Sequence, residues 1–157
     1  MEKNNHDAFV FTIPGKPQSK ERARVCCDPR TGRVHSYTPE RTAVYEALVR
    51  QYYKISHGPY YGKDALAVEI AAFYAIPKSY SKKKTAEICG KCLRPTVKPD
   101  CDNIIKSILD ALNGLAYSDD SQIASVTCGK YYAMSGEDAR VTVKIERIGI
   151  LEEGDDA

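Results

Sequence analysis

Four things are absent from this chain, and the first two each remove a class of function. No apolar run approaches the roughly 18 residues that a membrane-crossing helix needs. The opening stretch MEKNNHDAFVFTIPGK lacks the long apolar core of a secretion signal, so the expected location is cytoplasmic. No repeat or low-complexity tract interrupts the 157 residues, which points to one compact domain. A strong net charge is missing too: the formal value is +2, which by itself says little about partners.

Six cysteines are present, but without an export signal they read as reduced thiols rather than a disulfide framework. Cys89 and Cys92 form a C-x-x-C in ICGKC, and Cys26 and Cys27 make a second pair. Four thiolates would hold zinc tetrahedrally. Adjacent cysteines rarely both face one ion, however, so small, semi-apolar loop residues are the favoured reading.

Charge is distributed more tellingly than its sum suggests. Residues 15 to 33 carry six basic residues against Glu21 and Asp28, and residues 78 to 98 carry seven against Glu87 alone. The tail from 149 to 157 is acidic and is expected to fray, leaving residues 1 to 148 as the domain. Two basic stretches flanking an acidic centre suit a phosphate-binding surface with a metal site inside it. Solvated loops are the ordinary alternative.

The local patterns predict an α+β domain with helices packed on a mixed sheet. AFVFTI, residues 8 to 13, alternates like a strand and stops at Pro14-Gly15. Arg24 to Cys27 and Val34 to Tyr37 suit short hairpin arms around DPRTGR. Thr38 then caps a helix with Pro39 in its first position; Val44, Ala47, Leu48 and Tyr52 recur at helical spacing up to His57-Gly58-Pro59. The longest apolar stretch, ALAVEIAAFYAI from 65 to 76, suits a central strand. A short polar helix is expected over 79 to 89, and a loop over 90 to 99. Residues 123 to 134 and 139 to 148 alternate as two strands, joined by a turn at 135 to 138.

Between these lies KPDCDNIIKSILDALNG, residues 98 to 114. Ile104, Ile105, Ile108, Leu109 and Leu112 share one helical face, which must be buried. Asp102, Lys106 and Asp110 share the opposite side. Ordinary surface chemistry accounts for much of this: Asp100 or Asp102 caps the helix, and Lys106 pairs with Asp102 or Asp110. It accounts less well for two acids at i and i+2, which repel unless a cation lies between them. Mg²⁺ takes oxygen ligands, usually one or a few carboxylates plus water and substrate phosphate. The pair Asp119-Asp120, in a turn after the helix, would supply a third carboxylate by folding back, or is simply an Asp-rich turn.

KPDCDNIIKSILDALNGLAYSDDSQI closely resembles the core motif of the RusA family of Holliday junction resolvases: Asp-x-Asp-Asn, a lysine four residues after the second Asp, and an Asp-Asp pair before a strand. FTIPGKPQSKERARV, SYTPERTAVYE and IPKSYSKKK also look like phage-type members, so the resemblance spans most of residues 9 to 145. It implies a RusA-like fold and a homodimeric endonuclease that cuts four-way DNA junctions with Mg²⁺ or Mn²⁺. By matching positions it implies Asp100, Asp102 and Asp120 as the metal carboxylates and Lys106 as the essential basic residue. Asp119 is a possible additional ligand, with Asp120 favoured. Lys16, Lys20, Arg22 and Arg24, and Lys82, Lys83 and Lys84, are the expected DNA-binding cations. A flap- or fork-directed nuclease and a non-catalytic junction-binding protein are the rival readings, and the intact acids and lysine count against the second.

Overall fold

The computed structural model describes residues 8–90, 92–134 and 136–149. The elements run β1 (Phe9–Pro14), β2 (Arg24–Cys27), β3 (Val34–Tyr37), α1 (Glu40–Ile55), β4 (Leu66–Tyr74), α2 (Lys82–Cys89), α3 (Cys101–Leu112), a 3-10 turn (Asp120–Gln122), β5 (Ile123–Tyr132) and β6 (Arg140–Arg147). This is a single α+β domain with a mixed sheet, as its sequence implies. The expected acidic tail falls almost entirely outside the described residues, as does Ser135 of the expected turn.

Four strands form the main sheet in the order β1-β6-β4-β5, while β2 and β3 make a separate hairpin. β4 is indeed central: it pairs antiparallel with β6 and parallel with β5. Parallel neighbours need a long crossover, and α2 and α3 supply it here. β5 and β6 follow each other closely in sequence yet do not pair, because β4 lies between them. Their connection instead passes the end of β4, where the Ala133 amide donates to the Tyr74 carbonyl at 2.8 Å. Alternation in the two strands shows that each has a buried face, but carries no information about its neighbour.

One face of the sheet holds the core. Ile13 of β1, Val141, Val143 and Ile145 of β6, and Leu66, Val68 and Ala72 of β4 are fully enclosed. Against them pack Val49 and Tyr53 of α1 and Ile104, Ile108 and Leu112 of α3. α3 buries the expected stripe with a slight rotation: Ser107 and Ala111 are inside, while Ile105 and Leu109 are half-buried. α1 differs more. Its buried stripe is Thr42, Tyr45, Val49 and Tyr53, whereas Val44 is 63% exposed and Ala47 faces solvent. Two stripes compete on this helix, and burying the large rings of Tyr45 and Tyr53 removes more apolar area from water. Tyr53 stacks edge-on against Phe9 and Phe11, with ring centroids 5.3 and 5.2 Å away.

The helix boundaries follow local chemistry. Pro39 occupies the N-cap position of α1, one residue later than Thr38, and its fixed φ suits that entry. Ser81 caps α2, accepting from the Lys84 amide at 3.2 Å. At the end of α1 the Gly58 amide returns to the Tyr53 carbonyl at 3.0 Å. A side chain at Gly58 would run into the Tyr53 ring, so this stop requires glycine.

Candidate active site

The entrance of α3 is fixed from three sides. The Tyr74 hydroxyl, at the end of β4, donates to the Pro99 carbonyl at 3.3 Å. Lys130 of β5 donates to the Val97 carbonyl, and Arg94 donates back to the Lys130 carbonyl. Cys101 Sγ lies 3.7 Å from the Cys128 carbonyl. The strap before α3 is thereby tied along the outer half of β5, and it delivers Asp100 and Asp102 to the surface at a defined place.

Asp100 stands at the N-cap position but makes no capping hydrogen bond with its side chain. Asp102 lies in the first turn, and both are exposed. Among the described residues neither Asp100, Asp102 nor Lys106 takes part in an ion pair. The pairing expected of Lys106 with Asp110 is absent because Asp110 is taken: Lys20 reaches it at 2.6 Å and Glu46 at 2.9 Å. Two carboxylates thus sit at the positive end of a helix dipole, where negative charge is favoured, with no internal partner using them.

Asp119 and Asp120 lie at the opposite end of α3. The Tyr117 hydroxyl, near them, donates to the Leu109 carbonyl at 2.6 Å, and Gln122 donates to the Asp64 carbonyl at 2.7 Å. Asp119 is consumed by a capping box: its carboxylate accepts from the Ser121 amide at 3.3 Å, and Gln122 Oε1 accepts from the amides of Ser118 and Asp119. Hydrogen bonds from Ser121 hold the Asp119 pKa below the usual carboxylate range. Asp120, in the first position of the 3-10 turn, is exposed and free of such bonds. The turn does not fold back onto the start of α3. The 12 residues of α3, about 18 Å of helix, and the five-residue step from Ile123 to Cys128, about 16 Å of strand, keep Asp120 most of a helix length from Asp102.

Electrostatics reports the same separation. Burial pushes the Tyr74 hydroxyl up to about 12, with Cys101, Cys128 and Asp100 adding to the effect. Burial also raises Tyr117, and there the contributing carboxylates are Asp120, Asp110 and Asp119. Among the described residues no three His, Cys, Asp or Glu side chains lie close enough to hold one ion. The same fact bears on the cysteines: Cys26, Cys27, Cys89 and Cys92 are free thiols and are not brought together in a zinc cluster.

A cleft of about 820 Å³ reaches as far as Pro99, next to Asp100. Gly15, Lys16, Gln18, Arg41, Lys98 and Pro99 are among its lining, so three cations face it against one acid, Glu40, and its wall ends one residue before Asp100. Lys16 is among the cations expected on a DNA surface; Arg41 is not, because a lone arginine in an amphipathic helix carries no signal. Lys20 has a different duty. Burial works against its charge, but hydrogen bonds to Asp110 and Glu46 outweigh that and raise its pKa. Together with Ser107 Oγ donating to the Gln18 carbonyl at 3.2 Å, this pair of contacts pins the N-terminal loop across α1 and α3. Arg22 and Arg24 remain exposed, Arg24 only loosely paired with Glu21 at 3.7 Å. Lys82, Lys83 and Lys84 are exposed on α2, and Lys84 lies 3.8 Å over the Tyr80 ring.

An α+β domain with unpartnered acids at a helix mouth, bordering a cationic cleft, defines a class of site suited to the phosphates of nucleic acid. Comparison with known proteins narrows the class. Residues 14–146 match the family described as Endodeoxyribonuclease RusA. The chain is also 35% identical over 150 residues to Uncharacterized protein YqaN of Bacillus subtilis (strain 168), covering 90% of this chain and 98% of that one. This protein belongs to the RusA endodeoxyribonuclease family, a family of hydrolases that cut DNA internally. No helix among the described residues is long and apolar enough to cross a membrane.

Proposed function

We propose that this protein resolves four-way DNA junctions, hydrolysing a phosphodiester bond with a divalent cation, Mg²⁺ or Mn²⁺, at the entrance of α3. The observation that carries this reading is the pair Asp100 and Asp102: two exposed carboxylates with no capping bond and no cation partner among the described residues, following directly on Lys98 and Pro99 of a cleft that three cations face. Oxygen donors of this kind suit a hard cation. Asp100 and Asp102 would hold it; Asp120, the third acid of the motif, stands at the other end of α3 and is not within reach of the same ion in one chain. When bound, such an ion lowers the pKa of its water and draws charge from the phosphoryl oxygens.

The chain's own residues do the rest. Lys106 stands one turn after Asp102 and meets the negative charge that grows on the phosphate. Lys16, Arg41 and Lys98 line the path of a DNA backbone toward the acids, and Lys82, Lys83 and Lys84 extend the grip. Contacts of this type read shape and charge rather than base sequence, which suits a branched substrate. Paired cuts on opposing strands call for a two-fold dimer. The expected place of this work is the cytoplasm.

The test is cleavage of an immobile four-way junction against a flap of equal length, each with Mg²⁺ and with EDTA. Paired incisions in the junction, faster than flap cutting and stopped by EDTA, are expected. Preferential flap cutting would replace this reading with a flap- or fork-directed nuclease, and binding without cutting would make the protein a junction-binding factor.

A further inference from the structure

The face of the sheet turned away from α1 and α3 carries aromatic rings that the core does not use. We propose that it binds unpaired bases of DNA: a base enters a cavity of about 390 Å³ bordered by Phe73 and Tyr131, which stand between the guanidinium groups of Arg94 and Arg140. This rests on the reading of the protein as a nuclease of branched DNA and adds which part of the branch it holds.

Strand alternation puts Ala72 and Tyr74 of β4 and Val141 of β6 in the core and turns Phe73 and Arg140 the other way. Register then sets Phe73 level with Tyr131 on one side and with Arg140 on the other. The two rings stack with centroids 5.5 Å apart, Arg94 lies 3.8 Å over Tyr131, and Arg140 lies 4.2 Å over Phe73. A Cβ at Gly129 would fall 2.6 Å from the Tyr131 ring, so glycine there gives the ring its place. Tyr131 is 38% exposed, and Met134, which lines the same cavity, is 53% exposed. Leu93 is also among the apolar lining, and the charged residues are Arg94, Arg140 and Glu137. Apolar walls with a few polar groups suit a flat aromatic ligand.

Charge decides the occupant. Glu137 neutralises Arg140 at 3.2 Å, and Lys144, farther along the face, lies between Glu69 and Glu146. Arg94 has no ion partner among the described residues. Its Nε donates to the Lys130 carbonyl, which leaves the terminal amino groups for a phosphate. α2, whose Ile88 lines the cavity, brings Lys82, Lys83 and Lys84; Lys84 covers the Tyr80 ring, which meets Tyr132 edge-on at 6.3 Å. Cations interleaved with rings suit a single strand, whose bases stack on rings or guanidinium planes while its phosphates meet the charges. A duplex keeps its bases inside and has no use for the rings. Arg94 precedes Asp100 by six residues, no more than about 20 Å of chain, so one branched substrate spans both places.

Two measurements in EDTA, where cutting does not intervene, test it. Oligothymidylate carrying iododeoxyuridine should photo-cross-link to wild type at Phe73, Tyr131 or another residue of the cavity, as peptide mass mapping will show. Second, Tyr131→Leu should weaken oligothymidylate binding by about 10-fold and leave the affinity for a duplex of equal length unchanged, because only a single strand offers a base to the ring. Lys82, Lys83 and Lys84 replaced together by Ala should weaken both, since they meet phosphates. Adducts confined to residues outside the cavity, an unchanged oligothymidylate affinity in Tyr131→Leu, or equal losses on single strand and duplex overturn the proposal. Should Tyr131→Leu misfold, the cross-link to wild type still decides. A light-scattering mass that falls from two chains to one in Tyr131→Leu would make this face an interface between copies instead. Wild type that binds duplex and four-way junction but not oligothymidylate overturns the base site and leaves the nuclease reading standing. Wild type that binds none of the three overturns both.

Discussion

The two ends of α3 both carry acids, and they differ in what holds them. At the C-terminal end Asp110 is clamped by Lys20 and Asp119 is spent on a capping box. At the N-terminal end Asp100 occupies a cap position without capping, and Asp102 has no ion partner among the described residues. Structural acids are recognised by the bonds they make. The acids at the entrance are marked by having none, at a helix end whose dipole tolerates them and beside a cleft that attracts phosphate. Asp120 belongs to the second group by chemistry and to the first by position.

Exchanging charge at the two ends should separate chemistry from stability, with the largest effect at the entrance. Asp102→Asn should lower junction cutting by at least about 100-fold, since the lost charge acts on the transition state. Its Tm should stay level or rise, because a like-charge neighbour of Asp100 is removed. Asp110→Asn should do the reverse, keeping most of the cutting while lowering Tm. If both variants lose activity and stability in parallel, the contrast between the two ends is wrong.

Next in size is the effect of the exposed cations. Lys82, Lys83 and Lys84 replaced together by Ala should weaken binding of all junction sequences alike. The dependence of log affinity on log salt should flatten by about one unit for each DNA phosphate that is no longer neutralised. Lys20→Ala should leave that slope unchanged, since its charge is used internally. An equal flattening in both variants would return Lys20 to the DNA surface.

Lys20→Ala should instead cost on the order of 1–2 kcal/mol, because Glu46 and Asp110 are left facing each other half-buried. The folded-state pKa of Lys20 lies above its unfolded value of 10.5. Its contribution is therefore fully present below pH 10.5 and is lost as pH rises through the higher folded value. The Tm gap between wild type and Lys20→Ala should stay constant from pH 7 to about 10 and close only beyond it. A gap that closes by about pH 9 would remove this assignment.

The smallest effect concerns the thiols. Burial, reinforced by Cys101, pushes Cys128 up to about 12, so little thiolate is present near neutrality. Cys27, Cys89 and Cys92 are exposed. At about pH 8 iodoacetamide should label these first and Cys128 last, as peptide mass mapping will show. Early labelling of Cys128 would mean that the α3 entrance opens readily.

Much of the fold is legible along the chain. Periodicity in AFVFTI, in the apolar stretch of β4 and in IIKSILDAL marks elements whose type is set by local spacing, and each stands where expected. The choice of stripe on α1 is not legible, because Val44 and Tyr45 begin equally regular patterns and only the shape of the β1–β6 face prefers the rings. Lys20 reads as one more cation in a basic loop, since nothing local reveals that Glu46 and Asp110 converge on it from two helices.

The candidate site divides along the same line. Sequence by itself determined the acid motif, its lysine and its place at a helix entrance, because caps, dipoles and i+4 neighbours are all settled within a few residues. Only the tertiary structure decided which acids are free, since Lys20 and the capping box come from contacts made after packing. It also decided that Asp120 stands a helix length from Asp102: α3 runs back along β5, so the residue that closes the motif in sequence is carried to the opposite end in space.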